Sequence, residues 1–199
     1  MARDPHGTLF HAALGTVVFV LLAPGSVVVL GPWLLTGWHF APPLLGWHVT
    51  RWLGAALLGL ALPLFVAFTL RFVVEGHGTP APIAPTDCLV VGGPFRWVRN
   101  PGYVSVVTLL VGQALVFGSP GLLGYAAVVA IAFHLFVILY EEPTLRRRYG
   151  ADYEMYCRAV PRWVPRFKSV PRSGNPRRGR VHRLVAGPGR RGVSWMTSR

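Results

Sequence analysis

Long apolar runs alternate with short polar segments along this chain, and their lengths are those of membrane-spanning helices. A helix needs about 20 apolar residues to cross a bilayer, and runs near this length cover residues 8–35, 52–74, 101–117 and 122–140. The last two are separated by Gly-Ser-Pro-Gly at 118–121, which is typical of a turn. The pattern predicts an all-α, polytopic membrane protein of about four transmembrane helices, the last two forming a hairpin.

Polar and Gly/Pro-rich segments divide the chain further. Residues 1–75 hold the first two predicted spans, and the glycines and prolines of 76–100 prevent a continuous helix there. Residues 101–140 are the hairpin, and 141–166 are a mixed polar segment. Residues 167–199 are a basic tail of Arg, Gly, Ser and Pro without periodicity, which we expect to be disordered.

The mixed segment carries apolar and aromatic residues at intervals of three or four after Pro143. This spacing predicts an amphipathic helix that lies along the membrane surface and is broken at Gly150. Two roles remain open for that helix, an anchor in the lipid and a cover for an active site. The residues that define the spacing are Leu145, Tyr149, Tyr153, Tyr156 and Val160.

Composition supports the membrane assignment, and the distribution of charge predicts the orientation of the protein in the membrane. The 199 residues are 52% hydrophobic and 14% charged, which is too apolar for an ordinary soluble domain. The net charge of +13 is concentrated in the tail, which could bind anionic lipid or nucleic acid. The simplest explanation is that it holds the tail in the cytoplasm, because basic segments stay on that side, and we expect no nucleic acid partner. Four spans then place residues 75–103 and 140–165 on the same, cytoplasmic, face.

The two cysteines, Cys88 and Cys157, lie in separate segments predicted to face the cytoplasm, where structural disulfides are rare. Their spacing is not that of a zinc site. We therefore expect neither a disulfide nor a metal site.

Two adjacent carboxylates, Glu141 and Glu142, stand where the fourth predicted span leaves the bilayer. Acids at the edge of hydrocarbon are unfavourable unless they are paired or hydrated, and negative charge at a helix C-terminus opposes the helix dipole. A positive partner is therefore expected, either the arginines at 146–148 or a bound cationic ligand. The alternative is an ordinary interfacial acid pair solvated by water and arginine.

Several motifs occur in a characteristic order across residues 92–166. Together they resemble the isoprenylcysteine carboxyl methyltransferase family, which is grouped with the phospholipid N-methyltransferases among integral membrane enzymes. The matching motifs are Gly93-Pro94-Phe95-Arg96-Trp97-Val98-Arg99-Asn100-Pro101-Gly102-Tyr103, Glu141-Glu142-x-x-Leu145, Tyr149-Gly150-x-x-Tyr153-x-x-Tyr156 and Val160-Pro161.

The resemblance implies S-adenosylmethionine as cofactor, held between the loop 76–100, the start of the third span and the end of the fourth. Carboxylates suit its cationic and hydroxyl groups, and aromatic rings suit its sulfonium. Arg158 and Arg162 are candidate catalytic residues that could hold an acidic acceptor, with lipid headgroup contact as the alternative. Asn100 stands where the family has histidine, so a role that needs an imidazole proton is not available there. The cofactor-binding candidates are Gly93, Phe95, Arg99, Asn100, Pro101, Tyr103, Glu141 and Glu142.

The sequence thus favours a methyltransferase that uses S-adenosylmethionine to methylate a lipophilic acceptor at the cytoplasmic face of the membrane. The acceptor could be a prenylated carboxylate, a phospholipid amine or a related small lipid, and the oligomeric state is open. One alternative is an NADPH-dependent sterol-type membrane reductase, although the 2′-phosphate of NADPH favours a basic pocket over two acids. Another is a non-catalytic membrane protein whose basic tail binds lipid.

Overall fold

A computed structural model describes residues 22–75 and 93–165 of the chain, and all regular structure in these two ranges is helical. The predictions for residues 1–21, for most of the loop 76–100 including Cys88, and for the tail from 166 onward lie outside the described residues. The helices are α1 (Gly31–Thr36), which follows a π-helical turn (Ser26–Leu30), α2 (Val49–Glu75), α3 (Pro101–Phe117), α4 (Pro120–Phe136), a second π-helical turn (Val137–Glu141), α5 (Glu142–Tyr149) and α6 (Ala151–Ala159).

Two of the described helical stretches are long and apolar enough to cross a membrane, Val49–Leu70 and Pro120–Tyr149. Two shorter apolar helices, Ser26–Thr36 and Pro101–Phe117, accompany them. Two of the four predicted spans therefore correspond to helices of sufficient length and apolarity. The first predicted span lies partly outside the described residues.

The hairpin of α3 and α4 follows from its turn residues. Pro101 occupies the first turn of α3, where its missing N–H is not needed. Gly118 ends α3 in the left-handed region with φ 70°, which glycine adopts without strain. The Ser119 hydroxyl then accepts a hydrogen bond from the amide of Leu122 at 3.2 Å and caps α4. Both α3 bounds agree with the predicted ones.

α2 packs closely on α3. A Cβ atom at Gly54 would lie 2.6 Å from the carbonyl oxygen of Gly112, so the two backbones are in direct contact. Near the start of α3, a Cβ at Gly102 would lie 2.6 Å from the Phe68 ring. The absence of these side chains lets α3 pack closely on α2 both at its start and near its C-terminal end.

The fourth predicted span does not end at Tyr140. The helix continues through the π-helical turn and α5 as far as Tyr149, and Pro143 does not break it. Pro143 lies in the first turn of α5, where the π-helical geometry has already displaced the usual hydrogen bonds, so the lack of an N–H has little effect. The break comes at Gly150, as predicted, with φ 52° and ψ −126°. The predicted surface helix is therefore two helices, and the first of them continues the hairpin.

Candidate functional site

Glu142 is the most enclosed charged group of the described residues, with 3% of its surface exposed. Its Oε1 accepts from Nε of Arg162 at 2.6 Å and from Nη1 of Arg99 at 3.2 Å. Its Oε2 accepts from Nη2 of Arg162 at 3.0 Å and from Nη2 of Arg146 at 3.3 Å. A carboxylate offers about four acceptor positions, so the acceptor capacity of Glu142 is fully used.

The pairing accounts for a buried charge at this position. A buried carboxylate is tolerated when charge-assisted hydrogen bonds replace its hydration, and a two-point contact with arginine is the strongest form of that bond. The hydrogen bond to Glu142 raises the pKa of Arg162, which keeps the guanidinium charged. Glu142 therefore joins three segments of the chain, the loop before α3, α5 and the segment after α6.

The carboxylate of the adjacent residue, Glu141, has a different environment. The Tyr103 hydroxyl donates to Oε2 of Glu141 at 3.0 Å, and the Tyr103 ring packs on Phe133 with centroids 4.7 Å apart. Among residues 22–75 and 93–165, no donor contacts the other oxygen of Glu141. Glu141 thus has a carboxylate oxygen available for a ligand, and Glu142 does not.

The π-helical turn before the acid pair determines which neighbours each acid meets. Phe133 and Glu141 are eight residues apart, which in regular α-helix is an offset of about 80° around the axis. The additional residue in a π-helical turn reduces that offset to about 20°. Glu141 therefore shares the face of Phe133 and meets Tyr103 on α3. By the same spacing Glu142 shares the face of His134 and meets the segment after α6.

The loop before α3 is attached to that segment by backbone contacts. The amide of Arg99 donates to the carbonyl of Pro161 at 2.9 Å, and Nδ2 of Asn100 donates to the carbonyl of Arg162 at 3.3 Å. Asn100 is buried, so its amide group has a structural contact and no titratable proton. These bonds position the arginines on both sides of Glu142.

A second set of contacts joins the loop to α6. The Tyr156 hydroxyl donates to the carbonyl of Phe95 at 2.9 Å, and Nη1 of Arg99 lies 2.8 Å from the Cys157 sulfur. Burial raises the pKa of Tyr156 and, together with the neighbouring Cys157, that of Tyr153, so both phenols remain neutral. These contacts place α6 against the part of the loop at residues 93–100, and both predicted roles of the helix, anchor and cover, stay predictions.

The structure brings together six of the ten predicted site residues, Arg99, Asn100, Tyr103, Glu141, Glu142 and Arg162. Of the others, Phe95 is buried and packs on the Phe68 ring at 5.9 Å between centroids. Gly93 begins a short 3₁₀ turn with φ 54°, and Pro101 is the buried first residue of α3. Arg158 is exposed on α6, and none of its contacts among the described residues joins it to this cluster.

Sequence reasoning did not single out the contact between His134 and Trp163, in which the indole Nε1 donates to Nδ1 of His134 at 3.2 Å. A signal existed, since His134 is the only His, Asp, Glu, Lys or Arg between Pro120 and Tyr140. The partner of Cys157 was missed as well. Arg99 and Cys157 are 58 positions apart, and no local pattern relates them.

The family comparison covers the part of the chain that carries this site. A family model described as phospholipid methyltransferase matches residues 49–152, which is more than half of the chain. The matched range extends from α2 into α6 and includes Tyr103, Glu141 and Glu142 but ends before Arg162. No curated protein and no solved structure matches the chain. The family and the two long apolar helices together indicate an integral membrane protein that acts on lipid-type substrates, and the chain belongs to the phospholipid methyltransferase family.

Proposed function

We propose that this protein transfers a methyl group from S-adenosylmethionine to a lipid acceptor, and that Glu141 and Tyr103 bind the methyl donor. The observation that carries the proposal is the unequal state of the two acids. Glu142 is fully occupied by arginines, whereas Glu141 keeps an oxygen free beside an aromatic ring. A partly enclosed carboxylate with unused acceptor capacity suits a cationic or hydroxyl-bearing ligand.

The residues present fit this donor. When bound, S-adenosylmethionine supplies a methyl group on a positively charged sulfur. Glu141 would accept from its ammonium or ribose hydroxyls, and the Tyr103 ring offers a face for cation–π contact. Tyr103 also fixes the orientation of the Glu141 carboxylate through the 3.0 Å hydrogen bond. Alignment and exclusion of water are the main requirements of methyl transfer, and the Glu142 cluster provides the rigid support for both.

We place the site at the cytoplasmic face, with the lipid acceptor entering from the side of the bilayer. Two arguments support this orientation. The polar segments around 93–103 and 141–163 contact one another at one end of the helices. The basic tail follows directly, and basic segments flanking spans remain in the cytoplasm.

Binding of labelled S-adenosylmethionine to the detergent-solubilised protein tests the proposal. We expect Glu141→Gln to weaken binding about tenfold or more, because it removes a charge that contacts the ligand. Tyr103→Phe should weaken it less. Full binding by Glu141→Gln would contradict the assignment.

A competition experiment and a deletion separate the proposed function from its two alternatives, a reductase and a protein that acts through its basic tail. S-adenosylhomocysteine should displace the label and NADPH should not; the reverse result would indicate a reductase. Deletion of residues 170–199 should leave methyl transfer to added lipid largely intact. A protein whose function lies in its basic tail would lose its activity on that deletion.

A further inference from the structure

Residues 160–164, which we call the strap, run from the end of α6 back to the helices that carry the proposed site. The carbonyl of Arg162 accepts a hydrogen bond from Nδ2 of Asn100, the residue directly before α3, at 3.3 Å. The indole Nε1 of Trp163 donates to Nδ1 of His134 on α4 at 3.2 Å. Consecutive strap residues are thus bound to the start of α3 and to α4, so the strap crosses from one helix of the hairpin to the other.

The crossing lies beside Tyr103, which we assign to the methyl donor. Tyr103 is three positions after Asn100, and its ring packs on that of Phe133, the neighbour of His134, with centroids 4.7 Å apart. Both attachment points of the strap are therefore within about one helical turn of this ring pair. The strap consequently flanks the proposed donor site.

Arg162 and Trp163 reach the long helical stretch Pro120–Tyr149 at two different depths. Arg162 binds Glu142, which is eight positions after His134 and therefore about 12 Å away along the helix axis. Consecutive Cα atoms are only about 3.8 Å apart, so the two side chains must diverge, Arg162 towards the polar end and Trp163 towards the apolar part. Trp163 therefore lies where the proposed site borders the lipid, since the exposed neighbours of His134 on the helix are apolar, Ile131 and Leu135.

These two attachments differ in strength. Glu142 is buried and accepts two hydrogen bonds from the charged guanidinium of Arg162, which is the strongest form of that contact. The indole N–H of Trp163 can only donate, so Nδ1 of His134 carries no proton and the bond joins two neutral groups at an exposed position. A hydrogen bond between neutral groups contributes less than one to a charged group. The strap is therefore expected to separate from the helix at Trp163 first, while Arg162 keeps it attached.

We propose that the strap is a lateral gate of the proposed site, and that the contact between His134 and Trp163 is the latch that opens to admit the lipid acceptor. This gate rests on the proposed function, in which the acceptor enters from the side of the bilayer. Opening moves only the end of the strap, because the bonds of Arg162 to Glu142 and Asn100 hold the rest. A released indole suits the membrane interface, where its ring meets apolar groups and its N–H meets water or headgroups.

Distances between spin labels, measured by electron paramagnetic resonance, test the latch without any ligand. Labels at Val164→Cys on the strap and Leu60→Cys on α2 occupy exposed positions, in a protein whose native cysteines are replaced by serine and which is placed in dioleoylphosphatidylcholine vesicles. His134→Asn keeps an acceptor near the position of Nδ1, whereas His134→Leu removes it and suits the apolar surroundings. We expect one distance population with His134 or Asn and a second population with Leu. An unchanged distribution in His134→Leu, or an equal change in both variants, would overturn the latch.

A reversible crosslink tests whether the gate must open for the acceptor. In the same cysteine-free background, His134→Cys and Trp163→Cys are joined by a short bis-methanethiosulfonate reagent, and dithiothreitol cleaves the link. Methylation of dioleoylphosphatidylethanolamine in vesicles should fall to near background in the linked protein and return on reduction, while binding of labelled S-adenosylmethionine stays unchanged. Trp163→Cys alone, treated with the same reagent, is the control for the added bulk and should keep its activity.

Full methylation by the linked protein would show that the acceptor enters elsewhere and would overturn the proposal. A parallel loss of S-adenosylmethionine binding would show that the link distorts the donor site, which also contradicts a gate for the acceptor alone. If the protein without the link transfers no methyl group, the proposed function fails, whereas the spin-label distances still decide whether the strap separates from α4.

Discussion

Glu141 and Glu142 show how two adjacent, identical residues acquire different roles. Both follow an apolar helix, and nothing in their local sequence distinguishes them. Glu142 meets arginines from three segments, whereas Glu141 meets one tyrosine. The difference arises from long-range contacts across about 20 to 40 positions in sequence, so only the folded structure reveals it.

Glu142→Gln should destabilise the protein strongly. The substitution leaves three arginines around a neutral amide, and disruption of a buried ion pair by removal of one partner costs about 3 kcal/mol or more. Thermal unfolding of the detergent-solubilised protein measures the effect. Glu154→Gln is the matched control, because its 2.9 Å pair with Arg146 is about half exposed on both sides and should contribute less than about 1 kcal/mol. Equal effects of the two substitutions would contradict the structural role of Glu142.

The π-helical turn Val137–Glu141 determines the rotation of α5 relative to α4. Insertion of one alanine after Leu139 adds a residue to a turn that already holds an additional one, and should rotate α5 by about 100° relative to α4. Glu141 would then lose Tyr103, and Glu142 would lose its arginines. We expect a lower unfolding temperature and loss of S-adenosylmethionine binding, measured on the same preparation.

Leu139→Ala is the control for the insertion. The Leu139 side chain is 72% exposed on the surface that we assign to lipid, so its truncation changes no contact of the site. Both properties should stay near those of the wild type. An insertion variant that binds the cofactor normally would show that the turn has no positioning role.

The contact of α2 with α3 can be tested by comparing two glycine substitutions on α2, one inside the contact and one outside it. Gly54→Ala would place a methyl group 2.6 Å from the Gly112 carbonyl, and because that atom is backbone the helices must separate. We expect a loss of about 1–3 kcal/mol, as for other overpacked positions. Gly59→Ala meets nothing within 4 Å and should be neutral or slightly stabilising. Thermal unfolding of the two variants tests the difference.

Much of the element pattern could be predicted from the sequence. The bounds of α3, the hairpin turn and the break at Gly150 follow from apolar runs and from the position of glycine and proline. The continuation of the helix past Tyr140 could not be predicted, because Pro143 and the acid pair are local signals for a helix end. Their effect is offset by the π-helical turn and by Arg162, which is 20 positions away.

The candidate site was predicted less completely than the elements. The resemblance brought Tyr103 and the acid pair together as ligand-binding residues, and the structure places them side by side. It could not separate the roles of the two acids, and it gave Arg158 and Arg162 one role although only Arg162 contacts the cluster. Trp163 lies beyond the residues that the family model matches.

At the scale of the whole molecule, the two polar segments lie at one end of the helices, and the turn around Leu45 connects α1 to α2. In a background with Cys88 and Cys157 replaced by serine, Arg158→Cys and Leu45→Cys introduce one thiol each at exposed positions. We expect an impermeant thiol reagent to label Leu45→Cys in intact cells and Arg158→Cys only after permeabilisation. The opposite pattern would reverse the orientation of the protein.

The helical stretch Pro120–Tyr149 is continuous over 30 residues and is therefore about 45 Å long. Because the acid pair is built into this stretch, any tilt that matches the helix to a thinner or thicker bilayer also changes the depth of Glu141. Turnover in vesicles of increasing acyl chain length should consequently pass through a maximum. A flat profile would mean that the helix keeps its tilt and that the membrane adapts to the protein.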